Sequence, residues 1–314
     1  MLHFADLATF DSISSRAEKQ PSIIEKGNLA TDLTYLVTGA TGSIGSRVVE
    51  DLLRNGERPR VFVRDANKAE ALYGGRVDVV MGDLADASSM KSGFAGARSV
   101  LLINTGREIP ERDREAAKAA KEAGVKHLVK LSSLDSRERF GTGVWHAQGE
   151  VAIRESGLAF TFVQPSGFMS NALFWAESIK RDGMVSSCTD DGKIAFIHPE
   201  DIAAVAARVL TSQDYLGEAL AITGPEALSY SEMTEKIGAA IGRHLAFRII
   251  PEEEERRRLE AGGTPDWEIE YHLSIYRAIR EGRASTVTDT VERVLGRKPI
   301  TFDRWARENV SAFS

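Results

Sequence analysis

The chain has 314 residues, of which 42% are hydrophobic and 27% charged, with a formal net charge of −6. This is ordinary globular composition, enough for one large domain or two modest ones, and its mild acidity gives no electrostatic basis for holding nucleic acid or an anionic membrane. The single cysteine, Cys188, excludes an intrachain disulfide and any cysteine-based metal site, and suits a reducing compartment. Residues 1–30 read as an N-terminal extension. They are mixed in character and lack the basic and apolar regions of a signal peptide. No apolar run approaches the roughly 18 residues of a membrane span, so the expectation is a soluble, cytoplasmic protein.

The organised part opens with a short buried strand at Thr34–Val37, followed by a glycine loop. A helix from about Ile44 repeats Ile44, Val48, Val49, Leu52 and Leu53 at helical spacing and stops at Asn55-Gly56. Arg60–Val63 is the second strand, and Asp65 is placed to cap a short helix through Leu72. Val77–Met81 and Ser99–Ile103 are the third and fourth strands. An alanine-rich helix spans about Glu111 to Ala123, His127–Leu131 is the fifth strand, His146–Ser156 a helix and Ala159–Val163 the sixth strand. After about Pro165 the rhythm loosens. Pro199 opens a helix, Ser229 and Glu232 form a candidate capping box, and Glu252–Arg258 reads as a solvated helix with opposite charges four apart. Strands alternating with helices predict an α/β protein with a Rossmann-type, doubly wound parallel sheet covered on both faces. Its ligand should sit at the carboxyl ends of the strands.

The strongest chemical signal is Gly39-Ala-Thr-Gly42-Ser-Ile-Gly45, between a strand and a helix. The first glycine permits the tight turn, the second lets a pyrophosphate approach the backbone, and the third allows close packing. Free N–H groups and the helix dipole then face the phosphates. Which dinucleotide follows from the end of the second strand, where an acid would hold a ribose 2′-hydroxyl. Arg64 stands there, with Lys68 one turn on, suited to a 2′-phosphate or else plain surface charge. Asp65 either caps its helix or serves the ribose. Asp83, ending the third strand, either meets the adenine amino group or caps a turn. Asn104 and Thr105 end the fourth strand, near the expected ribose position.

These segments together resemble the NmrA-like atypical short-chain dehydrogenase/reductases. The resemblance rests on Leu36-Val-Thr-Gly-Ala-Thr-Gly-Ser-Ile-Gly45, Val63-Arg-Asp65, Gly82-Asp-Leu84, Leu131-Ser-Ser133, Phe162-Val-Gln-Pro-Ser-Gly-Phe-Met-Ser-Asn171, His198-Pro-Glu-Asp-Ile-Ala203 and Thr301-Phe-Asp-Arg-Trp305, and covers about Thr34 to Phe313. It implies an NADPH-binding Rossmann domain over residues 31–165. A smaller C-terminal α+β substrate region over 166–314 would be partly interwoven with the sheet. It also implies cofactor contacts from Gly39, Thr41, Gly42, Ser43, Ile44, Gly45, Arg64, Asp83 and Leu84, with Asn104, Thr105, Ser132, Gln164, Pro165 and Ser166 approaching ribose and nicotinamide. Gln164 departs from the arginine common before this proline in the group.

None of the six tyrosines has a lysine four residues on, so the Tyr-x-x-x-Lys pair of the main branch is missing. His146 stands where isoflavone-type reductases of the group carry a catalytic lysine. It would either donate a proton near neutral pH or only order the ribose or a water. Trp145, Phe168 and Met169 are candidates for a substrate pocket, while Phe174 and Trp175 suit such a pocket or a helical core equally. His198 and Asp201 read as an ordinary helix start, and no cluster has metal-ligand spacing. The expectation is an NADPH-dependent reductase of an electron-poor small molecule (a quinone, enone, imine or conjugated dye). The alternative is a non-catalytic NADP-sensing regulator that binds a protein partner.

Overall fold

The computed structural model describes residues 34–314, so the N-terminal extension read over residues 1–30 lies outside the described residues. Up to Pro165 the chain alternates β1 (Thr34–Thr38), α1 (Ser43–Arg54), β2 (Arg60–Val63), α2 (Ala66–Tyr73), β3 (Asp78–Met81), α3 (Ala87–Phe94), β4 (Ala97–Leu102), α4 (Ile109–Glu122), β5 (His127–Leu131), α5 (Gly143–Glu155) and β6 (Phe160–Pro165). Beyond it come α6 (Ala176–Asp182), β7 (Met184–Ser187), β8 (Lys193–Ile194), α7 (Pro199–Thr211), β9 (Ala219–Ile222), β10 (Leu228–Ser229), α8 (Tyr230–Ile241) and β11 (Ala246–Ile249). The chain then continues through α9 (Glu252–Ala261), α10 (Asp266–Arg280), α11 (Thr290–Leu295), α12 (Phe302–Glu308) and α13 (Val310–Phe313).

The main sheet has the order β3-β2-β1-β4-β5-β6-β9, with every neighbouring pair parallel. The order reverses between β1 and β4. In a doubly wound sheet that reversal opens a crevice at the carboxyl ends of the strands. Thr38 stitches the two strands there: its Oγ1 accepts from Ile103 N at 2.8 Å.

Both faces of the sheet are covered by apolar helix stripes. One face packs Ile44, Val48, Val49 and Leu52 of α1 with Ile202, Val205 and Val209 of α7 and with Val291 of α11. The other packs Met90 and Phe94 of α3, Ala116 and Ala120 of α4 and Ile153 of α5. A separate core, which includes Ile179, Met233, Ile237, Phe302 and Trp305, consolidates the region after Pro165. The helix starts obey local chemistry. Asp65 accepts from Asn67 N and Lys68 N, and Ser229 and Glu232 form the reciprocal capping box. Asp201, fully buried at the start of α7, pairs with Arg297 at 2.6 Å and accepts from Ile300 N at 2.7 Å, fastening the C-terminal helices to the sheet.

Beyond the elements read from the sequence, the structure adds α3, α6, α10 to α13 and β7 to β11. Helix α3 and strand β9 were not anticipated; each is short, and β9 (ALAI) carries no alternation because both of its faces are covered. The Glu252–Arg258 helix exists and keeps one pair along itself, Arg258 with Glu255, but its other charges reach outward. Glu252 binds Arg277 and Arg280 of α10, Arg256 binds Glu270, and Glu254 binds Arg248.

Candidate active site

The glycine turn lies at the β1–β4 crevice. Gly39 has φ +61°, a conformation costly for any residue with a side chain. Gly45 sits so close beneath it that a Cβ there would lie 2.2 Å from Gly39 O. Gly42 is different: it caps α1 with extended backbone, and a Cβ would meet only Gly39 O at 3.3 Å. No side chain caps α1, so its leading N–H groups are left for an anion. Tyr73 holds the turn from outside, donating from its hydroxyl to Ala40 O at 2.5 Å. Thr41, Ser43 and Ile44 belong to this same turn and first helical residues.

Arg64 follows β2 directly, is exposed, and pairs with no other described residue. Lys68 is exposed one turn into α2. Asp65 spends its carboxylate on the α2 cap, at 2.9 Å from Asn67 N and 3.3 Å from Lys68 N. Asp83 closes a local turn, accepting from Ala85 N at 2.9 Å, while Leu84 packs against the α3–α4 core.

Deeper in the crevice, side chains alternate along β5, so Leu128, Lys130 and Ser132 all face α4 and α5. Lys130 and Asp113 of α4 form an ion pair of 2.6 Å, both fully buried. Asp113 also accepts from Asn104 Nδ2 at 2.6 Å, at the end of β4. Gly149 permits this pair, because a Cβ on it would lie 1.9 Å from Asp113 Oδ2. His146, one turn earlier on α5, is buried, and burial together with the Lys130 charge holds its imidazole well below the usual range. The neutral imidazole is therefore favoured near pH 7. His146 Nδ1 and Asn104 Oδ1 are buried without a hydrogen-bond partner. Two buried polar atoms left unpartnered at the carboxyl end of the sheet, beside the glycine turn, are compatible with a polar ligand such as a dinucleotide.

A second network begins one turn on. Buried Glu150 accepts from Ser132 Oγ at 2.6 Å and Gln164 Nε2 at 2.8 Å, and Ser136 Oγ also points to it. Arg137 donates to Gln164 Oε1 at 2.8 Å, so a guanidinium from the neighbouring turn stands beside the position where the group's arginine is replaced. Lys130, Asp113, Glu150 and Arg137 were not singled out in the sequence. The available signal was a lysine inside an otherwise apolar strand.

Thr105 is exposed after β4, and its carbonyl accepts from Arg112 at 3.2 Å. Pro165 is buried at the end of β6, and Ser166 Oγ donates to Ala195 O. Of the expected pocket residues, Trp145 faces α10, where its ring lies 6.0 Å from both Trp267 and Tyr271. Arg107 of the β4–α4 loop stacks over Trp267 at 5.6 Å. Phe168 is half-buried against the sheet core. Met169 is 1% exposed within the C-terminal core. Phe174 is 60% exposed and Trp175 packs on Tyr230. His198 caps α7 through Glu200 N. Among the described residues no group of three or more His, Cys, Asp or Glu side chains is placed to hold a metal, and no helix is long and apolar enough to cross a membrane.

A profile of the NAD(P)H-binding family matches residues 39–213, from the first glycine of the turn to the end of α7. The chain belongs to that family. Members that resemble it include an NAD(P)H azoreductase of Xenophilus azovorans, 34% identical over 286 residues, 88% of this chain and 98% of that protein. A (4-alkanoyl-5-oxo-2,5-dihydrofuran-3-yl)methyl phosphate reductase of Streptomyces griseus is 35% identical over 283 residues, 89% of this chain and 99% of that protein. The fold is shared with the Escherichia coli NADPH-dependent quinone oxidoreductase QOR2 in complex with NADPH (TM-score 0.82, 24% identity, 87% of this chain and 99% of that one). This member of the NAD(P)H-binding family is an NAD(P)H-dependent oxidoreductase.

Proposed function

We propose that the chain is an NADPH-dependent reductase of planar, electron-poor small molecules such as quinones, enones, imines or dye-like conjugated systems. The observation that carries this reading is the aromatic cluster of Trp145, Trp267 and Tyr271, whose Trp145 immediately precedes the buried His146 on α5. Flat π faces bind flat acceptors by offset stacking and exclude water around them. The activities named for the azoreductase and the dihydrofuran phosphate reductase agree with it.

In this reading Gly39–Gly45 holds the pyrophosphate, and Arg64 with Lys68 grips the 2′-phosphate. Asp83 and Leu84 border the adenine. Asn104, Thr105, His146 and Ser132 approach the nicotinamide ribose, with Gln164, Pro165 and Ser166 beyond it. The bound cofactor supplies a hydride. The protein orders the reactants, keeps water out with the aromatic wall, and holds His146 neutral as a hydrogen-bonding group. The test is NADPH oxidation against a panel of quinones, azo dyes, enones and imines. Turnover should appear with planar acceptors and fall at least tenfold in Trp145→Ala. Tight NADPH binding with no turnover on any acceptor would overturn the reading and favour an NADP-sensing regulator.

A further inference from the structure

Trp267, Tyr271 and Ile275 recur every four residues along α10 and so share one face. The first two close on Trp145. The third reaches the loop after β5: a Cβ on Gly141 would lie 2.6 Å from Ile275 Cγ1 and 3.9 Å from Asp135 Oδ2. Ile275 at the end of the α10 stripe and the Asp135 carboxyl thus border the same glycine. That carboxyl is held in place by its backbone. Asp135 N donates to Ser133 Oγ at 3.2 Å, and Arg139 N donates to Asp135 O at 2.7 Å. The Asp135 carbonyl carbon would lie 2.2 Å from a Cβ on Gly143, so the short 3-10 turn Leu134–Ser136 is pressed against the start of α5. It sits just beyond Ser132 and Ser133, at the carboxyl edge where the acceptor must lie.

Of the charged groups around Asp135, Arg139 on the same turn is exposed and does not contribute to the carboxyl's shift, and the others are engaged elsewhere. Arg137 turns to Gln164 and to Ala219 O, and Arg283 turns to Glu138 O and the Phe140 ring. From β5, Lys130 is spent on Asp113. On α5, His146 is neutral and Glu150 is satisfied by Ser132 and Gln164. β6 presents only Gln164. On α10, burial holds His272 down to about 4 and raises Tyr271, so both are uncharged near neutrality. No salt bridge reaches Asp135 among the described residues. Burial accordingly pushes its carboxyl up to about 7, opposed only by the Ser133 hydroxyl.

We propose that Asp135 donates the proton that completes reduction of an acceptor seated against Trp145, Tyr271 and Ile275. The inference rests on the reductase reading above. The acceptor gains a hydride, the two electrons included, from NADPH, and its newly anionic oxygen, nitrogen or carbon takes the proton from the Asp135 carboxyl. The carboxylate left behind regains a proton from water, so the sum is acceptor plus NADPH plus H⁺ giving reduced product plus NADP⁺.

Asp135→Asn keeps the shape and removes the proton. With a quinone or enone, wild-type turnover should fall as pH rises through about 7. The variant should lose about 10²–10⁴-fold in turnover and show no such limb, with NADPH affinity unchanged. Asp135→Glu should restore the limb. A cationic dye, which needs only hydride, should be much less affected. A second readout needs no turnover: the Asp135 side-chain ¹³C signal of the cofactor-free wild type, assigned by its loss in Asp135→Asn, should titrate near 7. This decides the matter even if the variant misfolds. A midpoint near 4, or a folded Asp135→Asn with wild-type rate and profile, overturns the proposal while wild-type acceptor reduction leaves the reductase reading standing. A wild type that binds NADPH and reduces nothing overturns both.

Discussion

At the scale of single residues, the three glycines of the turn are not equivalent. Gly45 is required by the protein itself, since any Cβ collides with Gly39 O. Gly42 meets no such obstacle, and its extended φ of −91° suits other residues. In the proposed reading its glycine serves a ligand that approaches the backbone. Gly45→Ala should lower the thermal midpoint and disturb the turn. Gly42→Val should keep a native-like circular dichroism spectrum and melting curve while losing NADPH binding by isothermal titration. Native-like binding by Gly42→Val would remove the pyrophosphate from this turn. The choice of cofactor turns on the next strand. With Asp65 using one carboxylate oxygen for its helix cap and Arg64 exposed, the proposed reading assigns the 2′-phosphate to Arg64. A charge-assisted bond of this kind is worth roughly 1.5–3 kcal/mol, so Arg64→Ala should weaken NADPH binding about ten- to a hundredfold and leave NADH nearly unchanged. Equal wild-type affinity for the two cofactors would defeat this assignment.

At the scale of elements, α10 carries two of the three aromatic rings of the proposed acceptor wall, and α9 is tied to it by ion pairs. Glu252 at the start of α9 meets both Arg277 and Arg280 of α10, and Leu259 of α9 packs on an apolar cluster that includes Ile269 and Leu273 of α10. The carboxylate is held below the usual range, chiefly by its bond to Arg277. The pairs are half-exposed, so their removal should cost only about 1 kcal/mol. Its effect should be local: in Glu252→Gln, amide exchange should speed up in α9 and the first turns of α10, and the Michaelis constant for the acceptor should rise several-fold with NADPH affinity intact. Unchanged exchange in both helices would show that the ion pairs do not position α10. This part of the site was not legible in the sequence. Glu252–Arg258 displays an intrahelical charge pattern, and nothing in it shows that its partners lie 25 and 28 residues further on. The glycine turn, β1 to β6 and the caps at Asp65 and Ser229 were legible, because each depends on neighbours within a few residues. Lys130, Asp113 and Glu150 depend on strand order and helix facing, which only the assembled sheet supplies.

At the scale of the whole molecule, burial of ionisable groups sets how stability depends on pH. His127, 4% exposed at the amino end of β5, lies 2.8 Å from Thr161 Oγ1, whose own proton goes to Tyr215 O. Thr161 must therefore accept, and His127 carries its proton on Nε2. Burial lowers its pKa to about 4, and His272 and His146 are lowered for the same reason. A base depressed in the fold leaves the unfolded chain to take up protons first. Its stabilising contribution is thus full above the unfolded value near 6.5 and is lost as pH falls from there towards 4. Asp135 acts with the opposite sign, since its raised carboxyl contributes below about 4 and loses that contribution as pH rises through about 7. The two slopes overlap in the wild type, so the informative quantity is the difference between variants. By urea unfolding, His127→Gln should be less stable than wild type at pH 8, because it perturbs a packed pair. At pH 5 the gap should narrow by about 2 kcal/mol, the linkage value for a histidine shifted from 6.5 to about 4. A gap that stays constant between pH 8 and pH 5 would mean that His127 charges within the fold without penalty, and that the amino edge of the sheet is wetter than its packing implies.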